Sequence, residues 1–360
     1  MRVASAEVIP YALPFRAPYV TARGTLRRRE MVLLRLRDAE GRVGLGEAVP
    51  LALRGGANLE TVVRELEALA ETALLDPEGF AEDARAAAIS APARCAVETA
   101  FWDLAERASL PSASHSDAKG RLGDGGRERG VVRCNATLVA GAPAEVAAEA
   151  ERWAADGFGT FKLKLGAGDD AGQVREVREA LGPEARIRVD ANASWSVAEA
   201  AATLGAIEPY AIELVEQPVE TLEEMAALAA RSSIPLAADE SVASADEARR
   251  AVKLGACAVT GIKLSKVGGR PEAEAIMREL PAYLSSALDG PVGIAAAALL
   301  AAALGPPEEQ PRAHGLATER LFAASVAAVG PRLEGDLLRL PPGPGLGVEI
   351  DEDALQAHRL

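Results

Sequence analysis

FKLKLG at 161–166, VDAN at 189–192, LVEQPV at 214–219, AADES at 237–241 and IKLSKVGG at 262–269 decide how this chain folds. Each carries a short apolar run that closes on a charged residue: Lys164, Asp190, Glu216, Asp239 and Lys263. Successive members of that series stand 26, 26, 23 and 24 positions apart. Between them lie stretches with apolar residues three and four apart, at 170–181, 196–207, 222–230 and 244–254, the last with Ser244 at an N-cap position. A short buried strand, a turn and an amphipathic helix repeated at this period mean parallel strands joined by crossover helices.

The rhythm extends outward in both directions. Upstream are an apolar run at 131–138 and a helical stretch at 143–155, whose Pro143 suits a first helical position. Downstream are a helix at 271–280, a strand at 282–286 and a weaker strand at 312–315. Seven or eight such units suit a closed (β/α) barrel better than an open sheet, and a barrel of this kind gathers its strand ends at one mouth. Lys162 and Lys164, two residues apart on a strand, point to one face, so each should disfavour protonation of the other, as a lysine base requires. Three carboxylates brought together with them call for an offsetting charge. A hard divalent cation such as Mg²⁺ supplies it through oxygen ligands. Lysines and Mg²⁺ together suit abstraction of a proton next to a carboxylate, where an enediolate needs positive charge around it.

The first hundred residues have another texture. Strands are expected at 3–11, 30–37 and 43–49, with a turn at 38–41 and helices near 58–74 and 92–108, an α+β segment. A polar, Gly-rich stretch at 112–130 reads as a linker. The tail at 333–355 has a strand and a Pro/Gly loop and should pack back on the N-terminal segment. The expected division is a capping domain at 1–125, a barrel at 126–328 and a returning segment at 329–360. GLG at 44–46 and GPGLG at 343–347 do not open a helix after a buried strand, which argues against nucleotide binding.

Composition narrows the partners. Among 360 residues, Lys+Arg 39 against Asp+Glu 53 gives a net charge of −14, which argues against nucleic acid and anionic membrane. Three scattered cysteines without a CxxC exclude a disulfide framework, and three scattered histidines leave metal binding to carboxylates. The start carries Glu7 and Pro10 where a signal peptide needs an unbroken apolar stretch. The longest apolar run, 292–304, falls short of the roughly 20 residues that span a bilayer. A cytoplasmic protein is expected, with a homo-oligomer left open.

On the five quoted motifs the chain resembles the muconate-lactonizing subgroup of the enolase superfamily along nearly its whole length. The resemblance implies a (β/α)7β TIM-type barrel with an α+β capping domain formed by the N-terminal segment and the C-terminal tail. It implies Asp190, Glu216 and Asp239 as ligands of Mg²⁺ (or Mn²⁺), Lys164 as the base on one face with Lys162 beside it, and Lys263 on the opposite face. Asn192 and Gln217 look like groups supporting the ligands, with an ordinary strand-end hydrogen bond as an equally good reading. Residues 283–297 and 314–325 resemble the last barrel strands of o-succinylbenzoate synthases. The DxD motif that dipeptide epimerases carry near the eighth strand does not occur at 312–321.

The implied reaction is therefore loss of water from a succinyl hydroxycyclohexadiene carboxylate, a step of menaquinone biosynthesis. N-acylamino acid racemase, dipeptide epimerase and muconate cycloisomerase are its rivals. A non-catalytic, metal-stabilised binding barrel is the rival from another class; it would need the carboxylates and not the lysines. Ser285 and Ser286 are candidate substrate contacts against a structural reading, and so is His314. The cap loops at 15–24 and 50–56 are expected to close over a small carboxylate substrate.

Overall fold

The computed structural model describes residues 3–21, 24–52, 55–75, 88–109, 130–166, 168–310 and 312–360. The expected linker lies outside the described residues except for Gly130, as do positions 22–23 and 53–54 of the two cap loops.

The capping domain is a three-stranded antiparallel sheet, β1 (Val3–Thr21), β2 (Gly24–Asp38) and β3 (Val43–Ala48), covered by α1 (Leu59–Leu75) and α2 (Ala91–Ser109). Strand β1 runs well past the expected end at Tyr11, pairing with β2 as far as Thr21 and Gly24 across a register shift between Pro14 and Tyr19. It carries prolines at 10, 14 and 18. They are tolerated because β1 is an edge strand, where a missing N–H costs no ladder bond on its open side. Gly44 and Gly46 let helix α2 lie against β3: a Cβ there would meet Ala100 O at 2.2 Å and Ala96 O at 1.8 Å.

The run at 131–138 breaks into two. Strand β4 (Val131–Arg133) leaves the barrel and pairs antiparallel with a strand of the tail, while β5 (Ala136–Leu138) enters the parallel sheet. The sheet continues through β6 (Thr160–Lys164), β7 (Arg186–Asp190), β8 (Ile212–Glu216), β9 (Leu236–Ala238), β10 (Val259–Ile262) and β11 (Ala282–Leu284), each parallel to its neighbours. Helices α3 (Pro143–Ala155), α4 (Asp170–Leu181), α5 (Val197–Ile207), α6 (Leu222–Ala229) and α7 (Ala245–Leu254) make the successive crossovers. A short α8 (Leu264–Val267) with α9 (Arg270–Glu279), then α10 (Pro291–Ala302), complete them. The Ala-rich run at 292–304 is thus mostly a barrel helix. Among the described residues no helix is long and apolar enough to cross a membrane.

The weak eighth strand reduces to two residues that close the barrel. Gly315 bridges Ser285 and His314 bridges Cys134, both in parallel. His314 accepts the Leu284 N–H at Nδ1 (2.9 Å) and its Nε2 meets Gln310 Oε1 at 2.7 Å. With both ring nitrogens used, burial and the nearby Arg188 push it down to about 4. His314 is a strut of the closure and does not line the cavity.

The tail holds more structure than one strand. It contains β12 (Ala327–Val329), β13 (Arg332–Glu334), β14 (Leu337–Arg339), β15 (Glu349–Ile350) and α11 (Glu352–His358). Strand β14 is the partner of β4, and the Leu360 N–H reaches Pro10 O at 3.0 Å. In the Pro/Gly loop, Asp103 accepts the Leu346 N–H (2.7 Å) and the Leu45 N–H (2.9 Å), stitching tail to cap. A Cβ on Gly345 would sit 1.9 Å from Asp103 Oδ1. A core of Tyr11, Leu13, Phe15, Met31, Val292, Phe322 and Leu346 joins the cap to the barrel.

Candidate active site

Strand alternation sets the site. Lys162 and Lys164 on β6 face the barrel interior together, Asp190 ends β7 and Glu216 ends β8 as its direct neighbour. Asp239 follows β9 and Lys263 follows β10 at the N-cap of α8. All six are buried. Lys162 Nζ lies 2.6 Å from Glu216 Oε2 and 2.8 Å from Asp190 Oδ2, and Lys164 Nζ lies 2.5 Å from Asp190 Oδ2. Lys263 pairs with Asp239 Oδ2.

Lys266, in the same motif as Lys263, also reaches Asp239 Oδ1 at 3.0 Å and donates to Gly261 O at 3.3 Å. Its spacing was the signal: a three-residue step from Lys263 on the helix that begins there returns a side chain to the same end of the barrel.

The electrostatics correct one expectation. Burial alone would lower the Lys162 ammonium, but Asp190 and Glu216 more than reverse this and hold it well above its ordinary value. The repulsion expected from Lys164 does not decide its state, because two carboxylates are in direct contact with the Lys162 ammonium. Burial acts to raise Asp190, yet Lys162 and Lys164 pull it far down. Glu216 goes the other way, raised by burial and by Asp190 against the pull of Lys162.

Asn192 and Gln217 both act as brackets. Each has positive φ, +49° and +39°, a conformation unusual outside glycine. Asn192 Oδ1 accepts from Lys164 Nζ at 3.0 Å while its Nδ2 donates to Glu240. Gln217 Oε1 accepts from Asp239 N (2.8 Å) and from Ser241 N and Oγ, and its Nε2 donates to Val219 O. It ties the loop after β8 to the loop after β9 and does not line the cavity. Ser286 lines the cavity, but its hydroxyl donates to Asp289 Oδ2 at 2.8 Å; Ser285 lines it beside Gly315.

Above these groups opens a cavity of about 800 Å³, its solvent-filled mouth included. The barrel contributes Thr137, Lys162, Lys164, Asn192, Lys263 and Thr318; the cap contributes Tyr19, Leu26, Arg29 and Leu51. Arg29 Nη2 donates to Pro50 O at 2.8 Å, joining β2 to the second cap loop. Sequence reading missed it, since nothing distinguishes it within the basic run at 27–29.

The carboxylates suit a hard cation. Among the described residues no three His, Cys, Asp or Glu side chains are already gathered tightly enough to hold a metal ion, and ammonium groups stand against the carboxylates. The donor set is nonetheless all oxygen, on adjacent strand ends, and buried Glu216 Oε1 has no hydrogen-bond partner. A buried carboxylate oxygen without a donor, on an acid that its surroundings push up, is what a bound cation would satisfy. The residues present fit Mg²⁺.

Comparison with known proteins gives the family. Residues 145–354 match the family described as enolase C-terminal domain-like, and residues 4–113 match the mandelate racemase / muconate lactonizing enzyme N-terminal domain. The chain belongs to the enolase superfamily. Within it, the muconate-lactonizing subgroup accounts for both halves of this member. The o-succinylbenzoate synthase of Thermobifida fusca is 38% identical over 205 residues, 55% of this chain and 63% of that protein. Muconate cycloisomerase 1 of Acinetobacter baylyi is 29% identical over 99% of both chains. The dipeptide epimerase of Enterococcus faecalis, solved with Mg and L-Leu-L-Tyr, superposes with a TM-score of 0.84 at 28% identity, covering 97% of this chain and 100% of that one. This enolase-superfamily enzyme is thus similar in sequence to an o-succinylbenzoate synthase and a muconate cycloisomerase and in fold to a dipeptide epimerase, so the family alone does not single out a substrate.

Proposed function

We propose that this chain is an o-succinylbenzoate synthase-like dehydratase acting on a succinyl hydroxycyclohexadiene carboxylate. The observation that carries the reading is the charge of the cavity wall. Its described lining residues include four cations, Arg29, Lys162, Lys164 and Lys263, and no carboxylate. A dipeptide brings an ammonium group that needs an acid to meet it. A substrate with two carboxylates and no ammonium suits these walls, with one carboxylate at the lysine end and the other toward Arg29. The 38% identity to a synthase of this name supports the same choice.

In this reading Lys164 takes the proton α to the ring carboxylate, oriented by the Asn192 carbonyl 3.0 Å away. Lys263, from the far side of the mouth, stays protonated and holds positive charge over the ring. The hydroxyl on the neighbouring carbon leaves from the same face, taking the proton from Lys164 to depart as water. Asp190, Glu216 and Asp239 would hold a Mg²⁺, whose Lewis acidity stabilises charge developing on the carboxylate oxygens. Lys162, clamped between Asp190 and Glu216, keeps those two acids in place. The cap residues exclude water from the ring.

A second reading, racemisation of an N-acylamino acid, is favoured by one feature: lysines on opposite sides of the cavity can serve as two bases. The deciding experiment assays the purified protein with Mg²⁺ on the succinyl cyclohexadiene, then on N-acylamino acids and dipeptides. Dehydration should have the highest kcat/KM. A dipeptide or N-acylamino acid turned over faster would reverse the assignment.

A further inference from the structure

We propose that Tyr283 is a positioning residue for the metal site: its phenol reaches across the barrel interior to one oxygen of Glu216 and so leaves the other oxygen for the cation. This rests on the reading of Glu216 as a Mg²⁺ ligand. Tyr283 lies in the middle of β11, three strands away from Glu216 at the end of β8, and both are buried. The Tyr283 O–H donates to Glu216 Oε2 at 2.5 Å, and Lys162 Nζ donates to the same atom at 2.6 Å. With two donors on Oε2 and none on Oε1, the carboxylate is held in one orientation, and its remaining oxygen is the one a cation can take.

Two features hold the phenol in place. Gly261 on β10 leaves the room the ring needs: a Cβ there would stand 3.2 Å from the phenol oxygen and 3.3 Å from Cζ, close enough to push the ring by a few tenths of an ångström. The guanidinium of Arg188 lies 5.1 Å from the ring centroid and is itself fixed by Glu213 (2.6 Å) and Ala313 O (2.7 Å). A tyrosine so confined has few other places to put its hydroxyl. None of this was legible as a site feature in the sequence, where Tyr283 reads as one apolar residue of a short strand.

The test is a Mn²⁺ titration of the metal-free full chain followed by electron paramagnetic resonance, with Mg²⁺ measured by competition. Wild type, E216Q, Y283F and G261A are compared, with thermal melts of each. Wild type should bind one ion and E216Q should lose it; if E216Q binds as wild type does, the ligand reading fails and this proposal with it. Given that loss, Y283F should weaken binding roughly tenfold or more, the usual effect of removing a partner of a metal ligand. Its kcat at saturating Mg²⁺ should fall much less. A Kd within twofold of wild type in folded Y283F would overturn the proposal. Should Y283F fail to fold, G261A carries the test: displacing the ring should weaken binding severalfold, and an unchanged Kd overturns the proposal there too.

Discussion

At the mouth of the barrel, Asp190, Glu216 and Asp239 are buried among four ammonium groups. At the seam between cap and barrel, Glu47 and Asp289 are buried about as deeply, yet their described partners are hydroxyls and backbone amides. Glu47 accepts from the Tyr11 phenol (2.8 Å) and from Gly290 N (2.6 Å). Asp289 accepts from Ser286 Oγ, Ala287 N and Ser265 Oγ. The two acids come close, since an ideal Cβ on Gly293 would lie 2.9 Å from an oxygen of each. The mouth offsets negative charge with side chains that also face a cavity, so the same groups are available to a substrate. At the seam, burial and Asp289 instead push Glu47 up to about 7, so it takes up a proton far more readily than an ordinary glutamate. Similar burial thus goes with a cavity-facing charge cluster in one place and with domain attachment in the other.

The comparison breaks first on the lysines. Lys164→Ala should remove proton abstraction from every substrate, a fall in kcat of at least roughly 10²–10⁴-fold. Lys263→Arg keeps the cation but cannot act as a base at neutral pH. It should retain measurable dehydration while losing any racemisation the wild type shows. Retained dehydration in the alanine variant would show that the mouth is not arranged for chemistry in the way proposed.

Metal dependence is the next largest effect. Chelator-treated protein, and each of Asp190→Asn, Glu216→Gln and Asp239→Asn, should lose turnover, with Mg²⁺ restoring only the wild type. Full turnover after chelation would put the mouth in the same class as the seam.

The seam predicts a pH effect on stability with a definite sign. Glu47 stands near 7 in the fold against an ordinary value of 4.5, so between those values the folded chain holds a proton the unfolded chain has released. The stability this lends is fully present below 4.5 and is lost as the pH rises through 7, in all about 3 kcal/mol. Glu47→Gln keeps a neutral side chain at every pH. The wild-type stability relative to that variant, measured by urea unfolding, should decline from pH 5 to pH 8, and a level difference would mean that Glu47 is not held protonated.

The smallest effect lies away from both clusters. Ser196 caps α5 in a reciprocal box with Glu199. Ser196→Ala should cost about 1 kcal/mol of stability. Its kcat should stay at the wild-type value, which steady-state kinetics beside a melt would check.

How much of this could be read from the chain depends on the range of the interaction involved. Local signals sufficed for the barrel. A strand followed by an amphipathic helix at a regular period fixes parallel strands, and strand alternation then puts Lys162, Lys164, Asp190, Glu216, Asp239 and Lys263 at one end without any knowledge of contacts. They also sufficed for Pro143 at a first helical position and for Ser244 as a cap. They failed where a residue's role is set by a partner far along the chain. The expected end of β1 at Tyr11 fell short because its continuation to Thr21 is set by pairing with β2. His314 looked like a candidate ligand for substrate until both ring nitrogens were found in the closure of the barrel. Tyr283, Arg29 and Glu47 carry no local mark at all: the first acts on a carboxylate three strands away, the second on a cap loop, the third on an acid 242 positions later. The sequence by itself determined the period, the face and the residue types of the site, because backbone geometry repeats every few residues. Which oxygen is free, which lysine lies against which acid and where a proton is stored were decided only in the tertiary structure, because burial and electrostatics depend on what the fold brings together.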